Sequence, residues 1–137
     1  MRQVLHEVVV HVVVDDVPPT PLTAELRYDR ADPYAVRLSV GAPGPDAVHW
    51  VFARSLLAEG VRRPAGAGDV LVSPHRRDRR SWVRVVVRSR AGAAVLEIAA
   101  PAVTAFLSRT GRLVPPGTEG QHIDLEGVIA DLMAQRD

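Results

Sequence analysis

The sequence predicts an α+β fold: a mostly antiparallel sheet of about seven strands, followed by two C-terminal helices. Three observations lead there. Short apolar runs, many of them alternating with polar residues, recur from His6 to Ala99, and alternation marks a strand with one buried face. The links between them are short and rich in Pro, Gly and Asp, which suits hairpins better than crossovers. Beyond Pro101 the apolar spacing lengthens to a helical period. At 137 residues the chain reads as one domain, 1–137, able to bury roughly 70% of its unfolded surface.

The first strand is HEVVVHVVVD, residues 6–15. Valine is stiff at its first side-chain torsion and suits a pleated sheet. Both faces are apolar, which predicts burial on both sides. His11 interrupts one face and reads as a half-buried, satisfied histidine. Residues 15–21, DDVPPTP, hold three prolines and are expected to be a loop. Next, Leu22, Ala24, Leu26 and Tyr28 alternate with polar residues. The turn Asp29–Pro33 follows, with Asp32 forced out of the helical region by proline. Val36, Leu38 and Val40 then point inward from a strand over 34–40.

The loop GAPGPDA leads to a strand around Trp50 and Phe52. Ser55 is a candidate N-cap for a short helix that Gly60 stops. Residues 62–68 read as a loop, and the next strand as Asp69–Ser73. The following run HRRDRR reads as a further loop. In the strand after it, Val83, Val85 and Val87 share one face, and Trp82, Arg84, Val86 and Arg88 the other. A turn at 89–92 and a strand at 93–99 complete the sheet.

In the first C-terminal helix Pro101 fits the first turn. Val103, Phe106 and Leu107 are its apolar face, and Gly111 its expected stop. In the second, Asp124 is the N-cap candidate, and Leu125, Val128, Ile129, Leu132 and Met133 form a helical stripe weakened by Gly127.

Composition removes several functions. The chain has no cysteine, so disulfides, thiolate metal sites and thiol nucleophiles are excluded. No apolar run is long enough to span a membrane. Residues 8–14 are too short for a signal-peptide core, and a cytoplasmic protein is expected. All 17 basic residues are arginine, and the net charge is only +1. There is no nucleophile elbow, zincin motif, P-loop or dinucleotide fingerprint. The five histidines are scattered. The sequence therefore predicts no catalytic, cofactor-binding or metal-binding residues.

One constellation has a chemical reading. Arg76, Arg77, Arg79 and Arg80 precede a strand face bearing Trp82, Arg84 and Arg88. Single-stranded nucleic acid binds such faces, with arginines on phosphates and the indole under a base. The favoured reading is a solvated loop beside a charge-protected edge, because stacking platforms offer more than one exposed aromatic. The surplus valine surface of the first strand predicts a homo-oligomer, with Val10 or Val13 facing the partner subunit.

Several segments resemble the SsgA-like sporulation and cell-division regulators of actinomycetes. They are Leu26–Asp29, Ala31–Val36, Trp50–Arg54, Leu56–Gly60, Gly68–Val70, Ala100–Ala102, Phe106–Leu107 with Arg109–Thr110, Val114–Glu119 and Asp124–Leu125. They keep their order over nearly the whole chain. The Arg76–Arg80 cluster lies outside the shared pattern, and Ser55 stands where relatives commonly carry an acidic residue. The resemblance implies a fold like the trimeric whirly-type proteins and no catalytic activity. It also implies an adaptor role in septum placement, with the tubulin-like protein FtsZ or a paralogous SsgA-like protein as partner. No site residues carry over from it.

Overall fold

The computed structural model describes residues 2–122 and, beyond them, Met133. The second C-terminal helix, with Leu125, Val128, Ile129 and Leu132, lies outside the described residues.

Eight strands form one antiparallel sheet in the order β4-β3-β2-β1-β8-β7-β6-β5. They are β1 (Gln3–Val14), β2 (Val17–Asp29), β3 (Ala35–Val40), β4 (Val48–Ala53), β5 (Ala65–Ala67), β6 (Val70–Arg77), β7 (Arg80–Ser89) and β8 (Gly92–Ala99). Helix α1 (Arg54–Gly60) joins the two edge strands, and α2 (Ala100–Leu113) follows β8. The chain is thus two successive ββββα units, joined where Val10–Val13 of β1 pair with β8.

The inner face carries the core. Val4, Val8 and Val10 of β1 meet Leu26, Tyr28, Leu38, Val83, Val85, Leu96 and Ile98, and the helices add Leu56, Leu57, Val103 and Phe106. The alternation in β2, β3 and β7 fixes this assignment, since a one-residue slip would turn their core residues outward.

Several expectations need correction. Among the described residues the strand count is eight, because Ala65–Ala67 pairs with β6. Residues 17–21 are strand: β2 begins at Val17, and only Asp15-Asp16 turn, with Asp16 at φ 62. The prolines are tolerated because β3 covers only Ala24–Arg27 of β2. That side of Pro18, Pro19 and Pro21 is an open edge, and on the β1 side Pro18 and Pro19 fall at the register irregularity between Val12 and Val14, where the ladder is interrupted. The run HRRDRR is the tip of the β6–β7 hairpin, where Arg77 pairs with Arg80. Its two-residue turn, Asp78-Arg79, has both φ values positive, as a twist-matched hairpin turn requires.

The helix boundaries also differ. Ser55 lies inside α1, which starts after Ala53 without a side-chain cap. Gly60 ends α1 for a packing reason. A Cβ there would press into the Val72 side chain and come within 3.0 Å of its carbonyl carbon. Gly111 does not stop α2, which continues to Leu113. Thr110 is buried and Leu113 packs against the core in that last turn, and tertiary packing routinely overrides propensity.

Candidate functional site

The arginine-rich face folds onto a carboxylate. On β8 the outward-facing Glu97 stands opposite His11 and Arg84, yet it is fully buried. Arg77 Nη1 donates to its Oε1, and Arg84 Nη2 donates to Oε2 at 3.1 Å. His75 Nε2 lies 3.5 Å from the same oxygen and 3.1 Å from Arg84 Nη2. Burying a carboxylate is costly unless its lone pairs are filled by good donors, and two guanidinium groups fill them here. The Arg77 guanidinium then covers the Trp82 ring at 4.6 Å. Trp82 also meets the His11 ring in an edge-to-face contact at 4.9 Å.

This arrangement removes the stacking platform. Trp82 is only 8% exposed, and Arg77 and Arg84 are both engaged by the single Glu97 carboxylate. Arg76, Arg79, Arg80 and Arg88 remain exposed, but no base can reach the indole beneath Arg77. His11 is half-buried as expected, although its Nδ1 makes no hydrogen bond among the described residues.

Val10 is fully buried in the chain's own core, so it cannot face a partner. Val13 is half-buried on the opposite face, in the row with Val95. The exposed apolar residues of β1 are Leu5, Val9 and Val14.

A second constellation had no warning in the sequence. Arg54, the first residue of α1, is 4% exposed. Its Nη1 donates to the carbonyl of Val114 at 2.7 Å and to that of Thr110 at 3.3 Å. Its Nη2 donates to Glu119 Oε1 at 2.6 Å, and Glu119 Oε2 accepts from the Gly117 backbone N–H. The guanidinium also lies 4.8 Å from the Tyr28 ring centre. Tyr28 in turn donates its hydroxyl to the Pro33 carbonyl at 2.8 Å.

The titrations follow from these contacts. The hydrogen bond from Arg54 holds the Glu119 carboxyl below its ordinary value, with help from backbone donors. Burial pushes the Tyr28 hydroxyl up, partly opposed by the Arg54 charge. One arginine therefore ties α1, the end of α2, the 115–119 segment and the Asp29–Pro33 corner together. Beside it a groove of about 390 Å³ opens between α1 and α2, with Ala58, Leu107 and Pro116 on its apolar side and Arg62 and Arg63 on its rim.

A family model described as "Streptomyces sporulation and cell division protein, SsgA" matches residues 22–119. The chain belongs to the SsgA family. It is 44% identical over 129 residues to the sporulation-specific cell division protein SsgB of Streptomyces coelicolor, covering 94% of each chain. A solved structure from work on SsgB mutations that correlate to longitudinal cell division in that organism superposes with a TM-score of 0.83 at 45% identity, covering 88% of this chain and 95% of that one. The SsgA-like sporulation-specific cell division protein of Thermobifida fusca gives a TM-score of 0.85 at 36% identity, covering 94% of each chain. The SsgA match spans both the Arg54 hub and the buried Glu97 cluster. Among the described residues no helix is long and apolar enough to cross a membrane, and no group of three or more metal-ligating side chains occurs.

Proposed function

We propose that this SsgA-family chain is a non-enzymatic adaptor of sporulation-specific cell division. In this reading it works in the cytoplasm and at division septa, holding FtsZ or a paralogous SsgA-like protein at the septum site. The observation that carries it is the end-to-end match to sporulation-specific SsgB relatives, 94% of each chain for the protein of Streptomyces coelicolor. The groove beside Arg54 supports it, since its walls come from segments that also carry the family resemblance.

The assembly is a homotrimer with a whirly-type fold. The exposed Val9 of β1, with Val14 and Val17 at the end of the β1–β2 hairpin, supports self-association, because monomers rarely leave apolar surface of this kind in water. A ring presents each surface three times, and weak contacts to a polymer then gain from avidity.

The test is co-sedimentation of the purified protein with FtsZ polymers beside binding to labelled oligonucleotides, across a salt series. Saturable pelleting with FtsZ is expected, with no oligonucleotide binding at physiological salt. Oligonucleotide binding with a steep salt slope and no pelleting would overturn the reading.

A further inference from the structure

We propose that the outer face of β2, β3 and β4 carries a docking pocket for an acidic peptide segment of a protein partner. Arg27 and Arg37 take its carboxylate, and His49 offers a further donor. The inference deepens the adaptor reading and rests on it for the occupant being a protein.

Arg27 and Arg37 stand directly opposite each other across β2 and β3. Both are exposed, and among the described residues neither has a carboxylate within ion-pair distance. Like charges directly opposite in a sheet repel. A carboxylate shared between two guanidinium groups turns that repulsion into charge-assisted hydrogen bonding.

The next row on the same face pairs Ser39 with His49. Ser39 is only 6% exposed, and its Oγ lies 2.7 Å from His49 Nδ1. A neutral imidazole that accepts the hydroxyl proton at Nδ1 carries its own proton on Nε2. With the Ser39 hydroxyl as donor, exposed His49 keeps its proton on Nε2 and can give it to a ligand. The loop around Pro43 walls the pocket, whose volume is about 310 Å³.

Two further features select a peptide over a polyanion. Glu25 lies in the same pocket, opposite Ser39, and Glu7 faces Glu25 from β1. These carboxylates repel the successive charges of a nucleic acid and accept backbone N–H groups of a peptide. The arginine row is also flanked by apolar side chains: Leu5 pairs with Arg27, and Val51 pairs with Arg37. They are 43% and 63% exposed. The matching ligand is an acidic residue between apolar ones.

The test uses a short fluorescein-labelled peptide with glutamates flanked by leucines, a glutamine version of it, and an oligothymidine of equal charge. Anisotropy should saturate with the glutamate peptide alone. The double variant Arg27→Ser/Arg37→Ser should weaken binding about tenfold or more, and His49→Ala about threefold. Arg76→Glu/Arg80→Glu, at the distant hairpin tip, should leave it unchanged. Absent saturation, equal binding of the glutamine peptide, tighter binding of oligothymidine, or equal loss in the hairpin variant would each overturn the site. Pelleting with FtsZ separates the two readings. If the Arg27/Arg37 variant pellets like wild type, the adaptor stands and the site falls. If wild type binds the glutamate peptide but does not pellet, the site stands and the FtsZ reading falls.

Discussion

The Arg77 guanidinium lies 4.6 Å over the Trp82 ring while the same arginine pairs with buried Glu97. One side chain therefore closes an aromatic surface and neutralises a carboxylate. Arg77→Ala should open both, at a cost of about 2 kcal/mol. In a Trp50→Phe background, acrylamide quenching of the remaining tryptophan should rise clearly. Unchanged quenching would mean that Arg77 does not cover the indole. Glu97→Ala leaves two arginines without their counter-charge and should cost more, about 3–5 kcal/mol by chemical denaturation.

This cluster shows how far the sequence could be read. Alternation identified the inner faces of β2, β3 and β7, because burial on one side imposes a period of two, whereas β1, apolar on both faces, left its inner face open and Val10 a candidate for the wrong side. It also placed Trp82, Arg84 and Arg88 on one face. It could not show that Glu97 lies beneath Arg77 and Arg84, since that depends on the register between β7 and β8. A lone carboxylate inside the apolar run AAVLEIAA was the available signal. The opening of β2 was misread because proline rules describe paired strands, and Val17–Pro21 is unpaired on one side. Arg54 was invisible for a similar reason. Its partners at Thr110, Val114 and Glu119 are far away in sequence, and no local pattern reports such contacts. The outer pocket was hidden too, because Arg27 and Arg37 read simply as outward residues of separate strands.

Acid should reveal the Arg54–Glu119 contact. Glu119 titrates lower in the folded chain than in the unfolded one. Its stabilising contribution is complete above the ordinary glutamate range and is lost as pH falls through the depressed folded value. Asp29, lowered first by the Ala31 backbone N–H and then by Gln3 and Arg2, acts in the same direction. Melting temperature should therefore fall on acidification below about pH 5. Glu119→Gln should flatten part of that fall, and the remainder should track Asp29→Asn. An identical pH profile in Glu119→Gln would show that the contact does not form in solution. Arg54→Met should destabilise the domain at neutral pH as well, by about 3 kcal/mol, because it orphans buried carbonyls.

Two glycines should respond to alanine with opposite signs. Gly111 sits inside α2, and an added Cβ would find its nearest neighbour, Pro116 Cδ, at 3.8 Å. Gly111→Ala should raise stability by about 0.5–1 kcal/mol through helix propensity alone. Gly60 is pressed against Val72, which is fully buried in β6. Gly60→Ala should cost about 1–3 kcal/mol through overpacking, despite its better propensity. Urea titration of both variants checks this. The same sign for both would contradict the packing of α1 on β6.

Neighbouring valines on β1 provide the test of self-association. Val9 is 51% exposed and Val10 is 0% exposed, because adjacent strand residues face opposite sides. Arginine at Val10 places an unpaired charge in the chain's own core, so it should unfold the monomer. Arginine at Val9 removes no internal contact of comparable value. It should dissociate the proposed trimer while leaving circular dichroism and the monomer's own unfolding transition nearly unchanged. Val13, half-buried in the same outer row as Val9, should behave like Val9 with a smaller effect. Light scattering over a micromolar dilution series reads the mass directly. If wild type is a monomer throughout, the apolar stripe has another occupant and the avidity argument falls. If wild type is trimeric and Val9→Arg remains trimeric, the ring is built elsewhere, and the exposed valines at Val14 and Val17 are the next surface to substitute.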